Sequence, residues 1–413
     1  MIIVNYIGDK IMFYGIEYLR NKLASKRTRV KVRYSHYEMK HLAEDFQIST
    51  PPKLRYWMNC LGWCAKAVDS MADRLVFREF ADDNFNMNEI FMMNNKDVLF
   101  PSAVLGALIS SCDFIYISPD DDGYPRLQVI DGANATGIMD PITGMLKEGY
   151  AVLDRDETGS PLVEAYFIAG RTDYYYADGL VESVANAAPY PLLVPIINRP
   201  DAMRPFGHSH ISRACMSIVD SAMRTVKRSE ISAEFYSVPQ KYALGTDPDA
   251  EPMDKWSAAM SMMLEITKDQ DGDVPTVGQF QQQAMTPHLE QLKLFASLFA
   301  GETGLTLEDL GFSSGNPASS DAIKAAHESL RLKARAAQRS FGSGFLNAGY
   351  LSACVRDNQA YKRNQFYMTT PKWEPIFEPD AAALSGIGDA AIKLQQSFPD
   401  YFDSDKLKDL TGI

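Results

Sequence analysis

Two pairs of residues in this sequence have side chains that bind metal ions. Cys60 and Cys64 lie four residues apart on a predicted helix, and His208 and His210 lie two residues apart in PFGHSH. A zinc site needs three or four protein ligands, and we identify no further residue that completes either pair. We therefore interpret the cysteines as buried small apolar residues. The sequence predicts no metal ion and no cofactor.

An acidic run from Asp120 to Gly123 has the side chains that calcium prefers. It lacks the alternating spacing of an EF-hand loop, and no glutamate closes it. Strand-like residues stand on both sides of the run, and Asp and Gly favour tight turns. We therefore predict a hairpin turn here and not an ion site.

Catalytic motifs give little support for an enzyme. The sequence has no GxxxxGK[ST] phosphate loop, no GxGxxG after a predicted strand and no HExxH. Gly207-His208-Ser209-His210 is similar to a nucleophile elbow but lacks its second glycine. We predict no catalytic residues and no cofactor-binding residues, so the chain is not expected to be an enzyme.

A basic cluster on a predicted helix is the strongest candidate for contact with phosphates. It consists of Arg331, Lys333, Arg335 and Arg339. Cations are also favoured near the carboxyl end of a helix and on solvated helix faces. The sequence leaves both interpretations open.

The segment 304–320 is predicted to be a true loop between two helices. It contains Gly304, Gly311 and Gly315, and glycine readily adopts positive φ. Asn316 precedes a proline, which disfavours helical geometry at that residue. The polar side chains that the loop offers are Glu308, Asp309, Ser313, Ser314 and Asn316, none of which is basic.

Hydrophobic periodicity predicts the elements that carry these residues. Helices are predicted over 53–78, 97–111, 206–236, 286–303, 321–341 and 381–396, and strands over 112–118, 126–130 and a meander within 150–200. Thr286 is predicted to cap its helix, with Pro287 as the first helical residue. The mixture of helices and antiparallel strands predicts an α+β fold.

Length and charge limit the possible functions. A chain of 413 residues is expected to form two or three domains. Its net charge of -12 argues against a protein that grips nucleic acid tightly, because tight binding needs basic surface. An acidic surface is nevertheless suited to a protein along which DNA must slide. The sequence predicts no signal peptide and no membrane span.

Four segments, in this order along the chain, resemble segments of phage portal proteins. They are VPIINRPD (194–201), PFGHSHISRACMSIVD (205–220), SVPQKYALG (237–245), and TGLTLEDLGF with NPASSDAIKAAHESL (303–330). The resemblance covers about residues 50–345 and is less clear beyond them. It is to the siphophage-type portal proteins, or head–tail connectors, of tailed double-stranded DNA phages.

The resemblance implies an α+β portal fold with a mixed helical and antiparallel-sheet wing, a two-helix stem, a small clip and a helical crown. The implied divisions are wing 1–205, first stem helix 206–236, clip 237–285, second stem helix 286–303, tunnel loop 304–320, and crown with C-terminal region 321–413. The loop side chains Glu308, Asp309, Ser313, Ser314 and Asn316 would then line a DNA channel.

The resemblance also implies the function and the partners. A homo-oligomeric ring of about twelve subunits would stand at one capsid vertex, and double-stranded DNA would be packaged and ejected through it. The implied protein partners are the terminase large subunit, head-completion or adaptor proteins, the major capsid protein and scaffold. The protein would be found in the virion after assembly in the host cytoplasm, with no membrane partner.

Two other classes of protein remain compatible with the sequence. One is another virion structural protein, such as a head-completion ring or a minor capsid protein, which would lack a clip between two long helices. The other is an enzyme without a recognised motif, which would show a pocket with converging titratable groups.

Overall fold

The computed structural model describes residues 13–44, 50, 52–54, 56–237, 241–244, 276–279, 284–312, 320–377 and 381–397. Its helices are α1 (Ile16–Tyr37), α2 (Trp63–Ala72), α3 (Met87–Met93), α4 (Lys96–Ser110), α5 (Arg213–Ser237), α6 (Thr286–Thr303), α7 (Ser320–Ala326), α8 (Glu328–Arg356) and α9 (Ala381–Ser397). None of these helices combines the length and the hydropathy needed to cross a bilayer.

The strands form four antiparallel sheets among the described residues. They are β1 (Phe77–Ala81), β2 (Cys112–Pro119), β3 (Pro125–Ile130), β4 (Ala135–Met139), β5 (Leu146–Arg155), β6 (Pro161–Ile168), β7 (Arg171–Tyr176), β8 (Val181–Ala185), β9 (Leu193–Ile197), β10 (Lys241–Leu244), β11 (Thr276–Gln279) and β12 (Thr370–Trp373). The orders are β4-β5-β6-β7-β8, β3-β2-β9, β1-β12 and β10-β11. Helices and antiparallel sheets together confirm the α+β class.

The predicted hairpin and meander are both confirmed. β2 pairs with β3 across the acidic turn, with Ile115 opposite Val129. Asp120 Oδ1 accepts hydrogen bonds from the backbone N–H groups of Asp122 and Tyr124, which fixes the turn. The acidic run therefore organises a hairpin, as its Asp and Gly residues predicted.

Helix α8 ties the C-terminal third of the chain to the sheets. Its buried stripe contains Leu330, Ala334, Ala337, Phe341 and Phe345, each 0% exposed. Gly344 lies against β9, where an added Cβ would stand 2.8 Å from the Ile196 side chain. Since β1 also pairs with β12, residues 63–211 and 328–377 share one core, which we call the body, and buried side chains such as Val219 and Phe299 join the next two helices along the chain to it.

The helix predicted over 321–341 shares the core of the body. Its apolar stripe continues through Leu351 and Cys354, both 0% exposed. The helix is not continuous as predicted, since it is interrupted at His327, between α7 and α8, and Ile323 on α7 is 49% exposed. The division of 321–413 into crown and C-terminal region stays a prediction.

Helices α5 and α6 form an antiparallel pair, which we call the helix hairpin. Ser212 Oγ donates to Glu302 Oε1 over 2.8 Å, Thr225 Oγ1 donates to Gln291 Oε1 over 3.1 Å, and Ser232 lies 3.3 Å from His288. Residues later in α5 bond to residues earlier in α6, so the two helices run in opposite directions. The β10–β11 pair, in which Lys241 lies opposite Gln279 and Leu244 opposite Thr276, is antiparallel as well.

Several predicted helix ends were wrong. The helix predicted over 53–78 is confined to Trp63–Ala72, because the segment before it is bound to α5, where Asn59 Nδ2 donates to Met223 O over 2.7 Å. Cys60 therefore lies outside the helix and is exposed, so its interpretation as a buried residue was wrong, whereas Cys64 is buried as predicted. The helix predicted from 206 begins at Arg213. Gly207 has a φ of 71°, and Ser212 Oγ accepts the backbone N–H of Cys215 over 3.1 Å as an N-cap does.

The second helix of the hairpin has the predicted bounds but not the predicted cap. Helix α6 spans Thr286–Thr303, its N-cap is Met285, and no side chain caps it. Thr286 is already helical, so its hydroxyl does not bind the free N–H groups. At the other end, Gly304 has a φ of 86° and its N–H donates to Ala300 O over 2.8 Å, which is the predicted glycine stop.

Candidate functional site

The loop after α6 is fixed by a pair of reciprocal hydrogen bonds. Asp309 Oδ2 accepts from the backbone N–H of Thr306 over 2.8 Å and from its hydroxyl over 3.0 Å. The Asp309 N–H donates in return to Thr306 Oγ1 over 3.2 Å. A short polar side chain that bonds to nearby backbone stabilises a turn. Residues 304–312 therefore form an ordered turn between the helices, and the predicted break in helical structure is confirmed there.

His327 links this turn to the start of α8. Its Nε2 lies 3.0 Å from Asp309 Oδ2, and its Nδ1 lies 2.9 Å from Ile323 O. Burial opposes ionisation of Asp309, but hydrogen bonds from Thr306 and the neighbouring His327 outweigh it and lower the pKa of Asp309 below its usual value. Asp309 thus holds the loop to the helix that follows it.

The other predicted channel residues differ in position. Glu308 is exposed beside Asp309, so the loop presents one free carboxylate and one engaged carboxylate. Ser313, Ser314 and Asn316 lie outside the described residues. The channel role of all five side chains remains a prediction.

The sequence was predicted to hold no G-x-S-x-G motif, and this was wrong, because residues 311–315 read G-F-S-S-G. In a nucleophile elbow, this motif stands between a strand and a helix. Here the described residues before Ser313 are a turn that follows α6 and not a strand, and Ser313 itself lies outside the described residues.

The predicted basic cluster does not act as one unit. Arg331 binds the carboxylate of Glu328 with both Nε and Nη2, at 2.6 and 2.5 Å. Lys333 Nζ donates to Glu302 O over 2.7 Å, and burial lowers its pKa. Arg335 and Arg339 are exposed on the same face as Arg331. This places Lys333 at the join between α6 and α8 and leaves the two distal arginines for solvent or an anion.

Sequence reasoning missed a second basic stripe, on α1. Lys22, Lys26, Arg29 and Arg33 follow one another at steps of four, three and four, which places them on one helix face. Burial and then the charges of Arg204, Arg29 and Arg213 lower the pKa of Arg33. The signal was visible as the run KRTRVKVR at 26–33.

Sequence reasoning also missed a cluster that the fold assembles from distant residues. His36, near the end of α1, and His41 meet Asp220 of α5, and one ligand atom from each lies within 4.8 Å of the others. The predicted pair His208 and His210 does not form such a site. His208 pairs with Asp201 over 2.5 Å, while burial lowers the pKa of His210 to about 4.

Sequence comparison now adds to these observations. The chain is 25% identical over 385 residues to the portal protein of Mycobacterium phage L5 and, equally, to that of Mycobacterium phage D29. Each match covers 87% of this chain and 77% of the relative. No family model matches the chain.

Solved structures with a similar fold were also found. A chain from the virion of a native gene transfer agent particle matches with a TM-score of 0.46, 13% identity and coverage of 93% of this chain and 99% of that one. A chain from the neck of the native particle, computed with C12 symmetry, matches with a TM-score of 0.46, 13% identity and coverage of 94% and 99%.

The sequence similarity confirms the resemblance to phage portal proteins that was predicted from four segments. The relatives that carry it are the portal proteins of two mycobacteriophages.

Proposed function

We propose that the protein assembles into a ring at one vertex of a phage capsid and that double-stranded DNA enters and leaves through it. The observation that carries this proposal is the sequence similarity to portal proteins over 385 residues. The antiparallel helix hairpin and the β10–β11 pair supply a stem and the base of a clip. The wing would comprise 1–205 with part of the chain after α6, and the crown would start on the helix from 321.

Exposed apolar side chains on the helix hairpin support the ring. Leu289, Leu294 and Leu298 of α6 are 58%, 56% and 51% exposed. Leu294 and Leu298, four residues apart, lie on one helix face, whereas Leu289 lies on the opposite side of the helix. Exposed leucines that share a face are costly to leave in water and mark a surface for another protein. In a ring, each subunit would present the face of Leu294 and Leu298 to its neighbour.

Acidic and neutral side chains near the stem favour a channel through which DNA slides and is not tightly bound. The loop 304–320 offers Glu308 as a free carboxylate, and the chain carries a net charge of -12. Like charges repel, so phosphates moving past such a loop are not held. We assign Glu308, Ser313, Ser314 and Asn316 to the channel, with Asp309 anchoring the loop.

Ring formation is tested by mass photometry of the purified full-length chain. We expect closed assemblies of about twelve subunits, with the twelvefold number taken from the portal class. A monomer that persists across protein concentration and salt would contradict the proposal.

The channel assignment is tested by packaging DNA into heads that contain Glu308→Lys subunits. Added positive charge should hold phosphates and slow packaging at low salt, with recovery as salt screens the attraction. Glu157→Lys, at the exposed turn between β5 and β6, makes the same charge change away from the stem. Equal packaging rates for the two variants would show that the loop does not face the duplex.

We further propose that the clip, 237–285, binds the terminase large subunit or a head-completion adaptor, and that the wing contacts the major capsid protein and scaffold. The virion is the proposed location, after assembly in the host cytoplasm. Removal of 246–252 leaves both described strands of the β10–β11 pair in place. Rings should still form and lose motor or adaptor binding. Unchanged binding of both would refute this role for the clip.

A further inference from the structure

Two histidine rings lie stacked beside one carboxylate, between α1 and α5. The rings of His36 and His41 have centroids 3.6 Å apart and are inclined by 13°. Asp220 Oδ1 lies 2.8 Å from His41 Nε2 and 3.6 Å from His36 Nε2. The two histidine side chains are 8% and 9% exposed, and that of Asp220 is 32% exposed.

The hydrogen bonds of His36 define where its lone pair points. His36 Nδ1 lies 2.9 Å from the carbonyl oxygen of Val32, and a carbonyl only accepts, so Nδ1 carries the proton. The lone pair of the neutral ring is then on Nε2, which faces the Asp220 carboxylate. Nε2 is buried without a hydrogen-bond partner among the described residues. A buried ring nitrogen that faces a carboxylate is satisfied either by its own proton or by a metal ion between the two groups.

We propose that His36, His41 and Asp220 bind a divalent transition-metal ion of the zinc class. Two imidazole nitrogens and one carboxylate oxygen form a donor set that suits zinc, whereas magnesium and calcium prefer oxygen ligands. Ligands about 2.0–2.1 Å from a tetrahedral ion are separated by about 3.3 Å. The two measured separations from Asp220 Oδ1, 2.8 and 3.6 Å, lie on either side of that value. Water would complete the coordination.

The second histidine also has an unpartnered nitrogen. His41 Nδ1 is buried without a hydrogen-bond partner among the described residues, and His41 Nε2 bonds to Asp220 Oδ1 over 2.8 Å. When Nε2 binds the ion, its proton moves to Nδ1 or is released to solvent.

Ion binding requires a small rearrangement of the rings. The lone pair of an imidazole lies in its ring plane, so two nearly parallel rings do not aim at one point. Rotation about the side-chain bonds is needed to bring both Nε2 atoms onto the ion. A surface cleft of about 640 Å³ is lined by Leu42, which follows His41 in the chain, and by Met223, which lies about one turn after Asp220.

Two positive groups of α5 near the cluster work against the ion. Arg224 lies one turn after Asp220, and its Nη2 donates to Ser221 Oγ over 2.8 Å while its Nη1 lies 3.4 Å from Glu44 O. Lys227 lies two turns after Asp220 and lines the same cleft as Arg224. Both charges lower the affinity for a cation. The bound ion would connect the end of α1 and the segment after it to the first helix of the hairpin.

The test is thermal unfolding of the reduced full-length protein with ZnCl₂, at pH 7.5, in a Cys60→Ser background that removes the exposed thiol. Zinc well above its dissociation constant should raise the unfolding midpoint by about 5 °C, and a chelator should reverse the shift. Magnesium should have no effect. Titration with Co²⁺ should give the visible absorption bands of a tetrahedral ion.

Variants distinguish this site from other zinc ligands. Asp220→Asn keeps the shape and an acceptor for His41 but removes the charge, so zinc affinity should fall at least about tenfold. His41→Asn should abolish the cobalt bands, whereas His208→Asn, outside the cluster, should leave them unchanged. The proposal is wrong if zinc does not stabilise the parent protein, or if the variants at 41 and 220 bind zinc as the parent does.

Discussion

In the body, aromatic rings from distant parts of the chain are packed together, whereas the helix hairpin leaves apolar side chains uncovered. Phe345 of α8 lies 4.5 Å from Phe100, 5.6 Å from Phe77 and 6.0 Å from Trp373, measured between ring centroids. On α6, three leucines are more than half exposed. The comparison teaches that the body buries its aromatic side chains within one subunit, while α6 keeps exposed leucines that the proposed ring would cover.

The largest expected effect comes from truncating the body core. Phe345→Ala removes a fully buried ring, so the free energy of unfolding should fall by about 3–5 kcal/mol. Leu298→Ala on the hairpin, where the side chain is 51% exposed, should change the stability of the isolated subunit by less than about 1 kcal/mol. Denaturant titration of dilute, unassembled protein measures both. If the two variants lost similar amounts of unfolding free energy, the body and the hairpin would not differ in how much they contribute to the stability of one subunit.

The second prediction concerns ring assembly, where a substitution on the hairpin should have the larger effect. Leu294→Glu places a charge on the hairpin surface, where each buried leucine is worth about 1.5–3 kcal/mol per contact. We expect the ring to dissociate while the subunit keeps its unfolding midpoint, as judged by mass photometry and calorimetry. Leu294→Met preserves apolar character and should assemble. Intact rings from the Glu variant would show that this face is not an interface.

A buried acid should make the body sensitive to pH. Asp113 is 2% exposed, and burial raises its pKa to about 8, although hydrogen bonds from Ser110 and Gly132 oppose the shift. The folded state therefore holds a proton that the unfolded state loses above its ordinary pKa, about 3.9. Stability from this group is complete below that value and declines as pH rises towards 8.

The Asp113→Asn variant isolates that effect. In the parent, this group should lower the free energy of unfolding by up to about 1.4 kcal/mol per pH unit between pH 5 and 8. The variant keeps an acceptor for Ser110 and Gly132 and should lose this part of the slope. Denaturant titrations at pH 5, 6, 7 and 8 give the comparison. An identical slope in both proteins would mean that Asp113 does not titrate in this range.

The smallest effect is expected at the loop that joins the hairpin to α8. Asp309→Asn weakens the ion pair with His327 but keeps an acceptor for Thr306, so it should cost about 1 kcal/mol. Hydrogen exchange at the amides of 305–310 should report the loosened turn. Glu308→Gln alters an exposed neighbour and serves as the matched control. Equal exchange in both variants would argue against an anchoring role for Asp309.

The sequence predicted elements well where the signal was local. The bounds of α6 and the hairpin between β2 and β3 follow from proline, glycine and aspartate at fixed positions. The start of α5 was missed, although Ser212 stands three residues before Cys215 as an N-cap does. The extent of α2 was overestimated because apolar spacing alone does not reveal that Asn59 binds α5.

The candidate sites were less predictable because they depend on distance in space. His41 and Asp220 are 179 residues apart in the chain, and no short motif links them. Likewise, Asp309 was interpreted as a free loop carboxylate because nothing local indicates that His327 lies 3.0 Å away. Local patterns report turns and buried faces, whereas ligand sets and ion pairs need the tertiary fold.

The pairing of β1 with β12 has a consequence for the order of folding during synthesis. Phe77 lies opposite Trp373, so the body is completed by residues made almost 300 positions later, after the entire hairpin has left the ribosome. Contacts of such high sequence separation form slowly. A ribosome-bound chain that stops before residue 370 should expose the aromatic core and bind chaperones. The hairpin, made in the interval, is by contrast able to pair locally before the rest is finished.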